Sequence, residues 1–80
     1  MAIEYKYAII HMPTGFVWSR YRSRKQALKA FRNIDPNIRH EFKIVSIDDP
    51  LVESYYEKVN RKRIKMGLPP IDPRYPNPKV

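Results

Sequence analysis

The segment GFVWSRYRSRKQALKAF, residues 15–31, restricts the fold more than any other part of the chain. Its first half is rich in aromatic and β-branched residues, which predicts a strand over Phe16–Arg22. Ser23 follows as a favourable helix N-cap, with Gln26 three positions later in a capping-box arrangement. Apolar side chains then recur at helical spacing, at Ala27, Leu28, Phe31 and Ile34. An amphipathic helix that directly follows a strand needs a sheet to cover, which indicates an α+β domain.

A hairpin is predicted in front of this segment. Residues 3–12 alternate as a strand does, and Pro13-Thr14-Gly15 has the composition of a three-residue hairpin turn. In the simplest register, Val17 shares a sheet face with Ile9, and a slip of one residue would exchange the faces of the second strand. That register pairs Met12 with Phe16, Ile10 with Trp18, and Ala8 with Arg20.

A third strand and a second helix complete the predicted domain. Residues 38–47 alternate as a strand, and Asp35-Pro36-Asn37 separates them from the first helix. Because that helix connects strands two and three, the simplest layout places strand three beside strand one, in the order 2-1-3. Asp49 and Pro50 then begin a second helix, which ends before Gly67. The predicted fold class is α+β, with element order β-β-α-β-α and a three-stranded sheet covered by helices.

The C-terminal segment LPPIDPRYPNPKV holds five of the eight prolines and cannot form a helix or a central strand. Residues 68–80 are therefore predicted to be an extended proline-rich arm, which follows a single α+β domain over residues 1–67. Its apolar side chains predict that the arm packs along the domain or docks in a partner's groove. These side chains belong to Leu68, Ile71, Tyr75 and Val80.

The charge balance narrows the class of partner. The 80 residues carry a formal net charge of +8, so nucleic acid (DNA or RNA), anionic membranes and acidic protein surfaces are eligible partners. The absence of cysteine excludes disulfides and thiolate metal sites and fits a reducing cytoplasm. No apolar run approaches the roughly 18–20 residues that cross a bilayer. We therefore expect a cytoplasmic protein with neither a membrane partner nor a small-molecule cofactor.

Two basic clusters are the leading candidates for a binding site. Arginine and lysine at this density bind phosphates electrostatically without a sequence motif, although many such runs are only solvated helix faces. The predicted nucleic-acid-binding residues are Arg20, Arg22, Arg24, Lys25 and Lys29 in the first cluster and Arg61, Lys62, Arg63 and Lys65 in the second.

Trp18 is a further candidate for this interface. An aromatic side chain on a strand beside arginines can stack on bases, as in sheet-based RNA-binding domains and single-strand platforms. Alternatively, Trp18 completes the core, and a chain this short of apolar material favours that role.

The sequence offers little support for catalysis. His11 and His40 are the only histidines, and two histidines with a lysine are the minimum for metal-independent RNA cleavage by acid and base. Their spacing does not bring them together, although neighbouring antiparallel strands would. We expect no enzyme, with a ribonuclease as the lesser alternative. We also expect no metal site, because two histidines without cysteine or a carboxylate cluster provide too few ligands.

The run TGFVWSRYRSRKQALKAF resembles, over about a quarter of the chain, the sheet-reading DNA-binding modules attached to phage integrases. Those modules place three strands before the helix, whereas here the third strand is predicted to follow it. The leading hypothesis is a small basic non-enzymatic nucleic-acid-binding accessory protein, with a build that suits a phage-encoded or small bacterial protein. The alternative is a protein–protein inhibitor or adaptor that docks on an acidic surface of a host enzyme. Both hypotheses use the same charges.

Overall fold

The strands and helices of the protein follow the predicted order. The computed structural model describes residues 4–77. Within this range the elements are β1 (Tyr7–His11), β2 (Phe16–Tyr21), α1 (Arg24–Arg32), a 3-10 turn (Arg39–Glu41), β3 (Phe42–Ser46) and α2 (Pro50–Lys65). The central strand β1 pairs antiparallel with both neighbours, which gives the order β2-β1-β3. The α+β class and the strand order 2-1-3 are therefore confirmed.

Local sequence signals fix the turns and helix ends. Gly15 and Gly67 have φ values of 74° and 75°, a left-handed conformation that favours glycine. The Ser23 hydroxyl accepts a hydrogen bond from the N–H of Gln26 at 3.2 Å and so caps α1. Asp49 caps α2 similarly, because its carboxylate accepts from the N–H two residues later at 2.9 Å. These features lie where the sequence predicts them.

The hairpin register contains a bulge that the sequence did not reveal. The observed pairs are Ala8 with Arg20, Ile9 with Ser19, Ile10 with Val17, and His11 with Phe16. Trp18 is left without a partner, so two residues of β2 lie opposite one residue of β1. The predicted pairing therefore holds at Ala8 but is wrong at Ile10 and at Met12, since Phe16 pairs with His11. As a result, Val17 packs in the core beside Ala8 and Ile10, not on the face of Ile9.

Both faces of the sheet are covered by a helix. Successive strand side chains point to opposite faces, so Ala8 and Ile10 lie on one side and Ile9 on the other. All three are at most 1% exposed. On the side of Ala8, Val52 of α2 joins the core cluster. On the side of Ile9, α1 contacts all three strands and buries Ala27. The two helices therefore lie on opposite faces.

β1 and β3 are shorter than predicted because adjacent residues make their hydrogen bonds elsewhere. The N–H of Tyr5 donates to the carbonyl of Arg74 at 2.6 Å, so the chain before β1 pairs with the C-terminal arm. Before β3, the N–H groups of Ile38 and Arg39 both donate to the carbonyl of Asp35, at 3.0 and 2.9 Å. This turn replaces the start of the predicted third strand. Residue 3, which the first strand was predicted to include, lies outside the described residues.

Residues 68–77 of the arm pack along the domain. Ile71 is 7% exposed and belongs to the core cluster. The side-chain amide of Asn60 holds it in place by donating to the Ile71 carbonyl at 2.8 Å and accepting from the Ile71 N–H at 2.7 Å. Leu68 is half-buried and Tyr75 is more exposed, whereas Val80 lies outside the described residues. No helix within residues 4–77 is long and apolar enough to cross a membrane.

Candidate nucleic-acid interface

The corner after β2 and the outer face of α1 carry a group of exposed cations, which we call the α1 cluster. Its members are Arg22, Arg24, Lys25, Lys29 and Arg32. No acidic group of residues 4–77 lies within salt-bridge distance of any of them. Arg32 is not among the residues predicted from the sequence, although its position seven residues after Lys25 continues a helical stripe with Lys29.

The first turn of α1 strengthens the positive potential of this cluster. It contains Arg24 and Lys25 and no acidic residue. The N-terminus of a helix carries a partial positive charge of about one half, so the dipole repels cations at this end, whereas it would stabilise an anion by about 0.3–1 kcal/mol. A phosphate at this corner would therefore be attracted both by the side chains and by the helix dipole.

The α1 cluster borders a shallow open groove along the helix. Its lining consists of Arg24, Lys25, Leu28, Lys29, Arg32 and Asn33. Leu28 is half-buried and provides the apolar part of the lining, together with the aliphatic stems of the cations. This lining contains no carboxylate, thiol or imidazole group. The four basic side chains of the lining can attract an anion.

Arg20, which the sequence assigns to the same basic cluster, points to the opposite face of the sheet. Its guanidinium lies 4.6 Å from the ring centre of Tyr5 and 5.3 Å from that of Tyr56. From this position it donates to the arm. Its acceptors are the carbonyls of Asp72 at 3.4 Å, Pro73 at 3.0 Å and Tyr75 at 2.8 Å, and the Asn77 side chain at 2.7 Å. Arg20 thus connects β2 to the arm, and both of its terminal nitrogens donate to the arm.

Tyr56, one of the two rings beside Arg20, is buried. Tyr56 is 8% exposed, and burial raises the pKa of its phenol above the ordinary value, while the positive charge of Arg20 opposes part of that rise. The hydroxyl therefore remains protonated at neutral pH. Arg20 lies over the two aromatic rings, which is the arrangement of a cation–π contact.

The second predicted cluster lies at the C-terminal end of α2, on the helix that covers the other face of the sheet. Arg61 is 3.4 Å from the Glu57 carboxylate, and Arg63 donates from Nε to the carbonyl of Pro69 at 2.8 Å. Lys62 and Lys65 are exposed. The two basic clusters therefore lie on helices that the sheet separates, and the structure does not join them into one surface. The sequence could not reveal this separation.

Trp18 lies outside the core, contrary to the role that the small size of the chain favoured. It is 58% exposed, and its ring meets the buried ring of Phe42 edge-on at 5.3 Å between centres. Phe42 pairs with His11 across the sheet. His11 directly follows Ile10 in β1, so the side chains of His11 and Phe42 point to the face opposite to that of Ile10, which is the α1 side. Trp18 therefore lies on the α1 side of the sheet.

The two histidines have different environments. His11 lies with Nδ1 2.8 Å from the hydroxyl of Thr14 and Nε2 3.1 Å from the carboxylate of Glu41, so both ring nitrogens are engaged locally. His40 is exposed in the 3-10 turn. Within residues 4–77, no group of three His, Asp or Glu side chains is placed to hold a metal ion.

No protein-family model, curated protein or solved structure matches this chain.

Proposed function

We propose that this protein is a small non-enzymatic nucleic-acid-binding protein that contacts phosphates through the α1 cluster. The observation that carries the proposal is the row of exposed cations along α1, of which Arg24 and Lys25 lie at its positive N-terminal end with no acidic neighbour in the first turn. Cations at the N-terminal end do not stabilise the helix, whereas they suit a polyanion. The lack of cysteine suits action in a reducing cytoplasm, and the small basic build suits a phage-encoded accessory or regulatory protein.

A salt titration with matched charge variants tests this proposal. One variant carries Arg24→Gln, Lys25→Gln and Lys29→Gln, and the control carries Lys58→Gln, Lys62→Gln and Lys65→Gln. Each removes three of the +8 charges and leaves +5, but the two sets lie on opposite faces of the sheet. All six side chains are exposed, so each substitution should change the free energy of unfolding by no more than about 0.5 kcal/mol.

The readout is the dissociation constant for a labelled single strand and a labelled duplex at several salt concentrations. Binding by the parent should weaken with salt, with a slope of about −0.9 per phosphate contact on duplex DNA and about −0.7 on single strands. The α1 variant should lose up to about three units of slope, and the α2 control should lose much less. Equal losses in both variants would show that only net charge matters. No binding at low salt would refute nucleic-acid binding altogether.

Docking on an acidic protein surface is a second candidate, supported by a different part of the molecule. A groove between the hairpin turn and α2 is lined in part by Phe16, Leu51 and Tyr55, with Lys58 beside them. Phe16 and Leu51 are 51% and 42% exposed, so an acidic partner with an apolar side chain fits this groove. A pulldown with and without nuclease separates the candidates, because a nucleic-acid partner is lost on digestion and a direct protein partner is retained.

A further inference from the structure

Trp18 is the only tryptophan of the chain, and the fold leaves it 58% exposed on the face that α1 covers. Tryptophan side chains are highly buried on average, so an exposed indole on the sheet face that a basic helix covers is a specific feature. We propose that the ligand of the α1 cluster is a single-stranded nucleic acid, one base of which stacks on the Trp18 ring. This inference rests on the function proposed above and specifies its substrate class.

The backbone places Trp18 in this position. The bulge leaves Trp18 without a partner in β1, while Val17 takes the core position opposite Ile10. The regular register would have paired Trp18 with Ile10, on the α2 side, where Val52 and Tyr56 complete the core. The bulge therefore buries Val17 on the α2 side and leaves the larger Trp18 ring exposed on the α1 side.

The contact with Phe42 holds the indole but leaves a stacking surface. The two rings are inclined by 79°, with centres 5.3 Å apart, and Phe42 is itself only 7% exposed. In such an edge-to-face pair, at most one face of the indole is in contact with the partner ring. A rigid aromatic ring with an accessible face is the element on which single-stranded nucleic-acid binders stack bases.

The α1 cluster begins within reach of the same strand of nucleic acid. Trp18 and Arg24, the first residue of α1, are separated by six positions along the chain, which is at most about 20 Å at roughly 3.3 Å per residue. Single-strand sites on comparable small domains extend over about 4–16 nucleotides, which covers this distance. A duplex is a poorer ligand, because its bases are stacked on one another and must be unstacked before they can reach a side chain.

Fluorescence of Trp18 reports this contact directly, since the protein has no other tryptophan. The probes are a deoxythymidine oligomer, its uridine counterpart, an abasic oligomer with the same number of phosphates, and a duplex. The oligomers that contain bases should quench the fluorescence in proportion to binding, and the abasic oligomer should bind more weakly without quenching. The uridine oligomer separates RNA from DNA as the preferred source of the strand.

Two variants separate stacking from packing. Trp18→Leu keeps an apolar side chain against Phe42 but lacks a π face, whereas Trp18→Phe keeps both. By anisotropy of labelled oligomers, Trp18→Leu should bind the deoxythymidine oligomer about 5- to 150-fold more weakly, which is the range for the loss of one stacked base. Trp18→Phe should retain most of the affinity, and neither variant should change binding of the abasic oligomer.

The outcomes distinguish this inference from the function on which it rests. If the abasic and base-containing oligomers bind alike and the fluorescence does not change, stacking is refuted while phosphate binding stands. Tighter binding of the duplex without quenching would likewise overturn the single-strand assignment. If no oligomer binds at low salt, the proposed function itself fails.

Discussion

Replacement of Arg20 by glutamine should destabilise the protein strongly, because this side chain attaches the arm to the sheet. Three of its four hydrogen bonds to the arm are 3.0 Å or shorter, and its guanidinium lies between Tyr5 and Tyr56. Hydrogen bonds that involve a charged group contribute about 1.5–3 kcal/mol in net terms, and a partly buried cation–π contact about 1–2 kcal/mol. These contributions are not additive within one side chain, and water replaces part of them at the surface. We therefore expect a loss of about 2–3 kcal/mol.

A loss of this size is large for a chain of 80 residues, whose total free energy of unfolding is about 4–12 kcal/mol. It should lower the melting temperature by about 8–24 °C, given a change of about 4–8 °C per kcal/mol in a domain of this size. Thermal unfolding followed by circular dichroism measures the shift. Amide exchange at Ile71, whose N–H is held by Asn60, reports whether the arm opens before the domain unfolds.

Arg22→Gln is the matched control. Arg22 lies two positions after Arg20 and is exposed, and its substitution removes the same charge. It should change the free energy of unfolding by no more than about 0.5 kcal/mol. The two variants should also differ in binding, because Arg22 belongs to the α1 cluster and Arg20 does not. If Arg20→Gln melts within about two degrees of Arg22→Gln, a difference of at most about 0.5 kcal/mol, the arm is not held by Arg20. If folded Arg20→Gln binds nucleic acid with a smaller salt dependence than the parent, Arg20 is a phosphate ligand after all.

Two further predictions concern the core. Ile10→Ala should lower the free energy of unfolding, measured in urea, by about 2–5 kcal/mol, because Ile10 is completely buried. Ile64 is 63% exposed, so Ile64→Ala should lower it by less than about 0.5 kcal/mol. Equal losses in the two variants would contradict the placement of the core. Burial raises the pKa of Tyr56 in the folded protein. As pH rises above about 10, the phenol of Tyr56 is therefore deprotonated first in the unfolded chain. The stability that Tyr56 contributes below that pH is then lost as pH rises through the pKa of the folded protein. The free energy of unfolding should therefore fall on the alkaline side less steeply for Tyr56→Phe than for the parent, and identical profiles would show that Tyr56 titrates normally.

The sequence alone determined the features that depend on a few adjacent residues. Gly15 and Gly67 adopt the conformations that their positions predict, and Ser23 and Asp49 cap the helices that follow them. These signals are readable because backbone sterics and capping hydrogen bonds act within about four residues. The order 2-1-3 also followed from the sequence, because a helix that connects two strands of one small sheet leaves few arrangements.

Only the tertiary structure decided which side chains are available for binding. Arg20 and Arg24 look alike in the sequence, but Arg20 donates to an arm more than fifty residues away, whereas Arg24 is exposed and forms no salt bridge within residues 4–77. A guanidinium binds carbonyl and phosphate oxygens with the same donors, so its partner depends on which acceptor the fold brings near it. The exposure of Trp18 was decided in the same way, by a one-residue bulge that its own neighbours do not signal. Register depends on how two strands and two helices pack together, and that packing is a property of the whole chain.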